Sequence, residues 1–180
     1  SLEKAVAEGR GICTRKRDGN QHTIVKDDTG KWVMYSSTMA PSHKDDPGIP
    51  WLERYPKIHE GLKKLNVMNG TMLVGELVAA FEQDEAGFDI DDMNYVSTIV
   101  KSKKDEALEK QDDGGHLSFS IYDIIFLSHQ PWYAEKEYQA RLGMIHELVA
   151  AAKDPHVIHV EMFVGDRILH AGGSEALPAE

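Results

Sequence analysis

The sequence predicts an α+β fold, built from mixed, largely antiparallel sheets with flanking helices. Three observations predict it. Two strand-like runs near the N-terminus are joined by a turn, which makes the start of the chain antiparallel. The elements that follow mix strand and helix without a regular alternation. A long helical pattern late in the chain carries one apolar stripe.

In chain order, Gly11 to Lys16 reads as a strand. Gln21 to Lys26 and Lys31 to Ser36 read as a hairpin, with Asp27-Asp28-Thr29-Gly30 as its turn. Thr38 to Pro50 is a polar, proline-containing loop. A helix is expected from Pro56, because proline suits a first helical turn, and Ile58, Leu62 and Leu65 then share a face. Thr71 to Phe81 is mostly apolar and reads as a buried strand. Glu82 to Asp92 reads as an acidic loop. Met93, Val96 and Val100 suggest a helix that the charged stretch Lys101 to Lys110 extends, until Asp112-Asp113-Gly114-Gly115 breaks it. Leu117 to Leu127 reads as a strand. Ala134 to Lys153 is the long helix, with Tyr138, Leu142, Ile145, Leu148 and Val149 as its stripe. Val157 to Val164 reads as a final strand.

At 180 residues the chain is expected to form a single domain spanning 1–180, long enough for a real core. Its 30 acidic and 20 basic residues give a net charge of −10. That balance lacks the basic surplus usual for nucleic-acid binding, although local patches survive within it. Arg10, Arg15, Lys16 and Arg17 form one, and Lys101, Lys103 and Lys104 another. Cys13 is the only cysteine, so no intrachain disulfide forms. With no signal peptide and no apolar run long enough to cross a bilayer, the expected setting is intracellular, in the cytoplasm. His156 and His159 lack the cysteine partners of a zinc site and read as structural.

Three short elements carry chemistry. The first is Lys16-Arg17-Asp18-Gly19, of the form K-x-D-G. A lysine attacks phosphorus only when neutral, and nearby positive charge and partial burial both favour that state. Arg15 and Arg17 flank Lys16, but alternation in a strand turns them to the other face. Gly19 lets the backbone turn sharply. Read alone, the element is also a charged strand end before a turn. The second element, Val74-Gly75-Glu76-Leu77, places a carboxylate in an apolar strand. Burying it demands a partner such as a metal ion, a ribose hydroxyl or a lysine, unless Glu76 faces water. The third runs from Phe119 to Leu127, with Tyr122-Asp123 inside it. Its aromatic is either core or a platform for a base.

In this order, the three elements resemble the nucleotidyltransferase core of ATP-dependent DNA ligases, RNA ligases and capping enzymes, an ATP-grasp-like ligase adenylation fold. The likeness covers roughly residues 10 to 165. Tyr55-Pro56-Lys57-Ile58 before a helix and Arg141 in the long helix also resemble family features. The resemblance implies that Lys16 is the catalytic nucleophile, taking AMP covalently from ATP, with Mg2+ held by Glu76. It implies a nucleotide site built from Thr14, Lys16, Gln21, Ser37, Glu76 and Tyr122, with Tyr122 stacking on the base. The AMP then passes to a 5′-phosphorylated strand end, so that nicked DNA or another 5′-phosphorylated nucleic acid is the implied partner of the complete enzyme, in DNA repair or replication.

The chain departs from the family pattern at several positions. Gln21 and Ser37 stand where the family often has arginine, and Thr14 where DNA ligases usually have glutamate. After Phe163 neither the family's E-G motif nor its lysine-rich K-x-K motif appears, and the tail Gly172 to Glu180 reads as an unfinished connection. The expectation is a truncated or divergent adenylation domain. A non-catalytic nucleotide- or protein-binding relative of the same fold and a capping-type guanylyltransferase stay open as alternatives.

Overall fold

A computed structural model of the chain describes residues 12–126 and 137–164, together with Lys4 and Glu8. Two compact units emerge, Arg17–His159 and a second made of Ser1–Lys16 with Val160–Glu180.

The larger unit is organised on a five-stranded sheet of order β3-β2-β4-β7-β8. Strands β2 (Asn20–Lys26) and β3 (Trp32–Ser36) form the expected hairpin. Its turn is held by Asp27, whose Oδ1 accepts from the Thr29 amide (2.9 Å), the Thr29 hydroxyl (2.7 Å) and the Lys31 amide (2.9 Å). The Thr29 hydroxyl bond comes first among the causes that lower the Asp27 pKa. Strand β4 (Met72–Val78) lies antiparallel between β2 and β7 (Ser118–Phe126), and β8 (Val157–His159) runs parallel to β7.

One face of this sheet is core. Ile24, Leu73, Leu77, Phe119 and Ile124 are wholly buried there, as are Ile58 and Leu62 from helix α1 (Pro56–Leu62). Burying an aliphatic side chain of this size stabilises by about 1.5–3 kcal/mol, so this face supplies much of the fold's stability. Pro56 opens α1 as expected, following a 3-10 turn at Trp51–Arg54.

Several boundaries differ from the sequence expectation. The apolar run Thr71 to Phe81 is two strands, β4 and then β5 (Ala80–Gln83). The stretch Glu82 to Asp92 is not simply a loop. It contains β6 (Asp89–Asp91), which pairs antiparallel with β5. Its acidic side chains hid a hairpin that backbone pairing makes. The helix expected to continue through Lys110 is two helices, α2 (Met93–Lys101) and α3 (Lys104–Gly114). The chain turns extended at Ser102, and Asp46 Oδ2 accepts from the Lys104 amide (2.7 Å) to cap the second helix. Helix α3 also runs through Asp112 and Asp113, and stops only where Gly115 takes φ +106°.

The long helix is α4 (Tyr138–Ala152), closed by Lys153 in the left-handed region. Leu142, Ile145 and Val149 of its stripe are buried, while Tyr138 and Leu148 are half-buried. The expected start at Ala134, Leu127 of the preceding strand, Arg10 and Gly11, and the tail Gly172 to Glu180 lie outside the described residues. Among the described residues no helix is long and apolar enough to cross a membrane.

In the smaller unit, β1 (Ile12–Thr14) pairs antiparallel with β9 (Met162–Val164), placing Thr14 opposite Met162. The single strand expected from Val157 to Val164 is thus β8 and β9, which belong to different sheets. The ladder is extended by the Arg15 amide donating to the Glu161 carbonyl (3.1 Å), and the two side chains lie 3.9 Å apart. Lys16 follows, exposed.

Candidate active site

The sheet face opposite the core carries a polar row. Residues paired across antiparallel strands share a face. Gln21 on β2 pairs with Glu76 on β4, and Glu76 pairs with Ser120 on β7. Gln21 is exposed, Glu76 is half-buried with its Oε2 shielded from solvent, and Ser120 is fully buried. The next row, His22, Gly75 and Ile121, turns to the core. Gly75 is required there, because a Cβ would run into the Ser120 carbonyl and lie 2.8 Å from Phe119 Cζ. The G-E element thus presses its glycine against β7 and turns its glutamate to the other face.

Tyr122 sits in an irregularity of the β4–β7 ladder. Val74 pairs with Asp123 and Gly75 with Ile121, leaving Tyr122 as the extra residue on β7. The phenol pKa is raised, first by burial and then by the negative charge of Glu76, with Asp123 and Tyr138 adding to it. Glu76 and Tyr122 are therefore electrostatic neighbours. The Tyr122 carbonyl accepts from the Tyr138 hydroxyl (3.0 Å), and Asp123 Oδ1 takes the Arg141 Nε–H at 2.8 Å, so helix α4 braces this segment from two points.

The K-x-D-G element reaches this region through Gly19. A Cβ on Gly19 would collide with the Leu77 carbonyl, lie 2.9 Å from Val78 Cγ1 and 3.1 Å from Glu76 Oε2. Only glycine allows that approach, so two of the three short elements meet at a backbone contact.

Arg17 differs from the sequence expectation. It reads there as part of a local basic patch, yet it is 4% exposed and ion-paired. Its guanidinium donates to both oxygens of Asp91, and Asp89 lies 3.5 Å away. Arg15 likewise faces Glu161. The positive charge expected beside Lys16 is thus compensated by acids that sequence reasoning did not connect to it.

Of the residues expected to bind nucleotide, the larger unit brings together Gln21, Glu76 and Tyr122. Ser37 stands exposed in the turn just past β3, the strand that flanks β2. Thr14 and Lys16 belong to the smaller unit. Sequence reasoning missed Ser120. Its Oγ is buried and has no hydrogen-bond partner among the described residues, beside Glu76 in the row. A serine within an apolar strand signalled nothing until the register placed it there.

A cavity of about 510 Å³ lies beside Asp18, lined by Phe81, Glu82, Ile90, Asp91, Asp92 and Met93. Its carboxylates would repel a triphosphate, and none of the expected nucleotide-binding residues lines it. Among the described residues no three histidine, cysteine or acidic side chains cluster to hold a metal. Mg2+ does not need such a cluster. It commonly takes one or two carboxylates and completes its shell with water and phosphate oxygens, so Glu76 beside the bare Ser120 hydroxyl fits that demand.

No curated protein matches the chain. The ATP-dependent DNA ligase of bacteriophage T7, solved in complex with ATP, is similar in fold, with a TM-score of 0.51 at 18% identity over 91% of this chain and 52% of that one. A Lig E DNA ligase, solved in a study of DNA binding with a minimal scaffold, matches at a TM-score of 0.48 and 14% identity, over 85% of this chain and 44% of that one. The chain thus spans about half the length of these two enzymes. The profile described as the ATP dependent DNA ligase domain matches residues 1–170, and by that match the chain belongs to the ATP-dependent DNA ligase domain family.

Proposed function

We propose that the chain is the adenylating part of an ATP-dependent polynucleotide ligase, with Lys16 as the nucleophile. The observation that carries this reading is the packing of Gly19 over Leu77 and Glu76. Gly19 is the last residue of the K-x-D-G element that Lys16 opens, so the element that carries the nucleophile also carries this contact.

In the proposed reaction the neutral Lys16 amine attacks the α-phosphorus of ATP. The N–P bond forms, the P–O bond to pyrophosphate breaks, and the amine proton is released to solvent. Glu76, Gln21 and Ser120 offer polar contacts for the ribose and the metal, and Tyr122 offers a face for the base. Glu76 would hold Mg2+, which supplies charge neutralisation on the phosphates when bound. The AMP then passes to the 5′-phosphate of a nicked DNA or similar end, and a 3′-hydroxyl displaces it to seal the strand. The dependence on ATP and on strand ends fits work inside the cell.

Incubation with radiolabelled ATP or GTP, followed by denaturing electrophoresis, tests this. Label retained from ATP, and lost in Lys16→Ala, is the expected result. Label from GTP alone points to a capping-type guanylyltransferase. Absence of label from either, at high nucleotide and magnesium, leaves a non-catalytic binding relative as the better reading.

A further inference from the structure

We propose that Asp91 is a positioning residue for adenylation, fixing the backbone that carries Lys16. This rests on the reading of Lys16 as the nucleophile. The Asp91 carboxylate takes the Arg17 Nε–H at 3.1 Å on Oδ1 and 3.0 Å on Oδ2, and the Nη2–H at 2.6 Å on Oδ1. Its Oδ2 also accepts the backbone amide of Asp18 at 2.8 Å. One carboxylate therefore grips a side chain and the main chain of two consecutive residues of K-x-D-G. A forked guanidinium–carboxylate pair fixes orientation as well as distance. The grip is shielded, since the Arg17 and Asp91 side chains are 3% and 6% exposed.

Asp91 is itself anchored. It pairs with Ala80 in the β5–β6 ladder. The next residue, Asp92, donates its amide to the Ala79 carbonyl (2.8 Å) and caps helix α2 by accepting from the Tyr95 amide (2.9 Å). The position of Arg17 and Asp18 is thereby set by the end of β4 and the start of α2. Residues 16–18 lie outside any strand and past the ladder bond that the Arg15 amide makes, so no strand pairing holds them. Because Asp91 and Asp89 offset the Arg17 charge, Arg17 contributes geometry at Lys16 more than electrostatic field. A nucleophile gains most from being held at attack distance and angle, and displacement of about 1 Å costs on the order of a hundredfold in rate.

The test compares the full chain with Asp91→Ala, Arg17→Met and the double variant. Asp91→Ala alone strands a buried guanidinium and risks misfolding. The double variant removes both partners and keeps the experiment readable. Single-turnover formation of lysine-AMP, expressed per folded molecule, should slow about tenfold or more in the double variant, while half-saturating ATP stays within about twofold. Hydrogen exchange at the Asp18 amide should speed up by about tenfold in the same folded protein. A folded double variant that labels at the unmutated rate, or slows only in proportion to its unfolded fraction, overturns the positioning role. An Asp18 amide that exchanges equally with and without Asp91 overturns the clamp, whatever the catalytic result. If the unmutated chain takes no label while its Asp18 amide is protected, the Lys16 reading fails and the positioning role falls with it.

Discussion

Gly19 lies against Leu77 at a distance that admits no side chain, since a Cβ there would collide with the Leu77 carbonyl and fall 3.1 Å from Glu76 Oε2. The Leu77 carbonyl belongs to the β4 strand and cannot swing aside as a side-chain tip can. Gly19→Ala is therefore expected to lower stability by about 1–3 kcal/mol, as overpacking does. Urea unfolding measures that loss. The folded fraction should also adenylate more slowly, because the loop is pushed off β4. An alanine variant with unchanged midpoint and unchanged labelling would remove the contact on which the proposed function rests.

Arg54 is fully buried and donates to Asp46 Oδ2 (2.5 Å) and to the Ser102 carbonyl, with its guanidinium 5.4 Å from the Trp51 ring centre. Asp46 also caps helix α3 through the Lys104 amide. Removing Asp46 leaves the buried Arg54 guanidinium without its carboxylate, which is destabilising. Asp46→Ala is expected to lower the chemical denaturation midpoint, and Arg54→Met/Asp46→Ala to be milder than Asp46→Ala alone. Equal or worse loss in the double variant would show that the pair's geometry, not the stranded charge, carries the cost.

Short-range and repeating signals are legible in the sequence, and long-range pairings are not. The β2–β3 hairpin was readable because its signal is local, with Asp27 and Gly30 inside one turn. The stripe of α4 was readable because helical spacing repeats over four turns. The Gly19, Gly75-Glu76 and Tyr122 elements were readable through a resemblance of motifs in order. Arg17 was not, since its burial depends on Asp91, which lies 74 residues away. A charged residue beside two other cations reads as a solvated patch until its partner is located. The β5–β6 hairpin was missed for a related reason. Glu82, Asp84, Glu85 and Asp89 suit a loop, and the pairing of Gln83 with Asp89 is visible only in the backbone. Ser120 became a candidate only once the register set it opposite Glu76.

Glu76 supplies the next prediction. Its charge helps raise the Tyr122 pKa, after the larger effect of burial. Glu76→Gln removes that charge and leaves the burial, so the phenol should titrate at lower pH than in the unmutated chain while staying above its ordinary value. Phenolate absorbance, compared with Tyr122→Phe to assign the signal, reads this out. The same variant should label with ATP roughly tenfold or more slowly, because the neutral amide is a poorer holder of Mg2+ than the carboxylate, and even outer-shell losses cost about that much. Unchanged Tyr122 titration would separate the two residues and dissolve the base-and-metal pairing proposed for them.

His22 gives the chain a pH dependence whose sign follows from its burial. It is fully buried, its ring lies edge-on to Trp51 at 5.2 Å between centres, and its Nδ1–H donates to the Asn20 carbonyl (3.2 Å). The other ring nitrogen has no hydrogen-bond partner among the described residues. Desolvation holds the folded pKa down to about 4 against an ordinary 6.5, with the Asn20 bond opposing weakly. Between those values the unfolded chain binds the proton that the folded chain refuses. Stability from neutral His22 is therefore full above pH 6.5 and falls as pH drops toward 4, by on the order of 3 kcal/mol at most. His43, which also packs on Trp51, has its pKa lowered by burial first and adds to the slope in the same direction. His22→Phe keeps the ring and removes the titration. Unfolding free energies measured at pH 7 and pH 4.5 should differ less in His22→Phe than in the unmutated protein. An identical difference in both proteins would mean that His22 does not titrate as its burial requires.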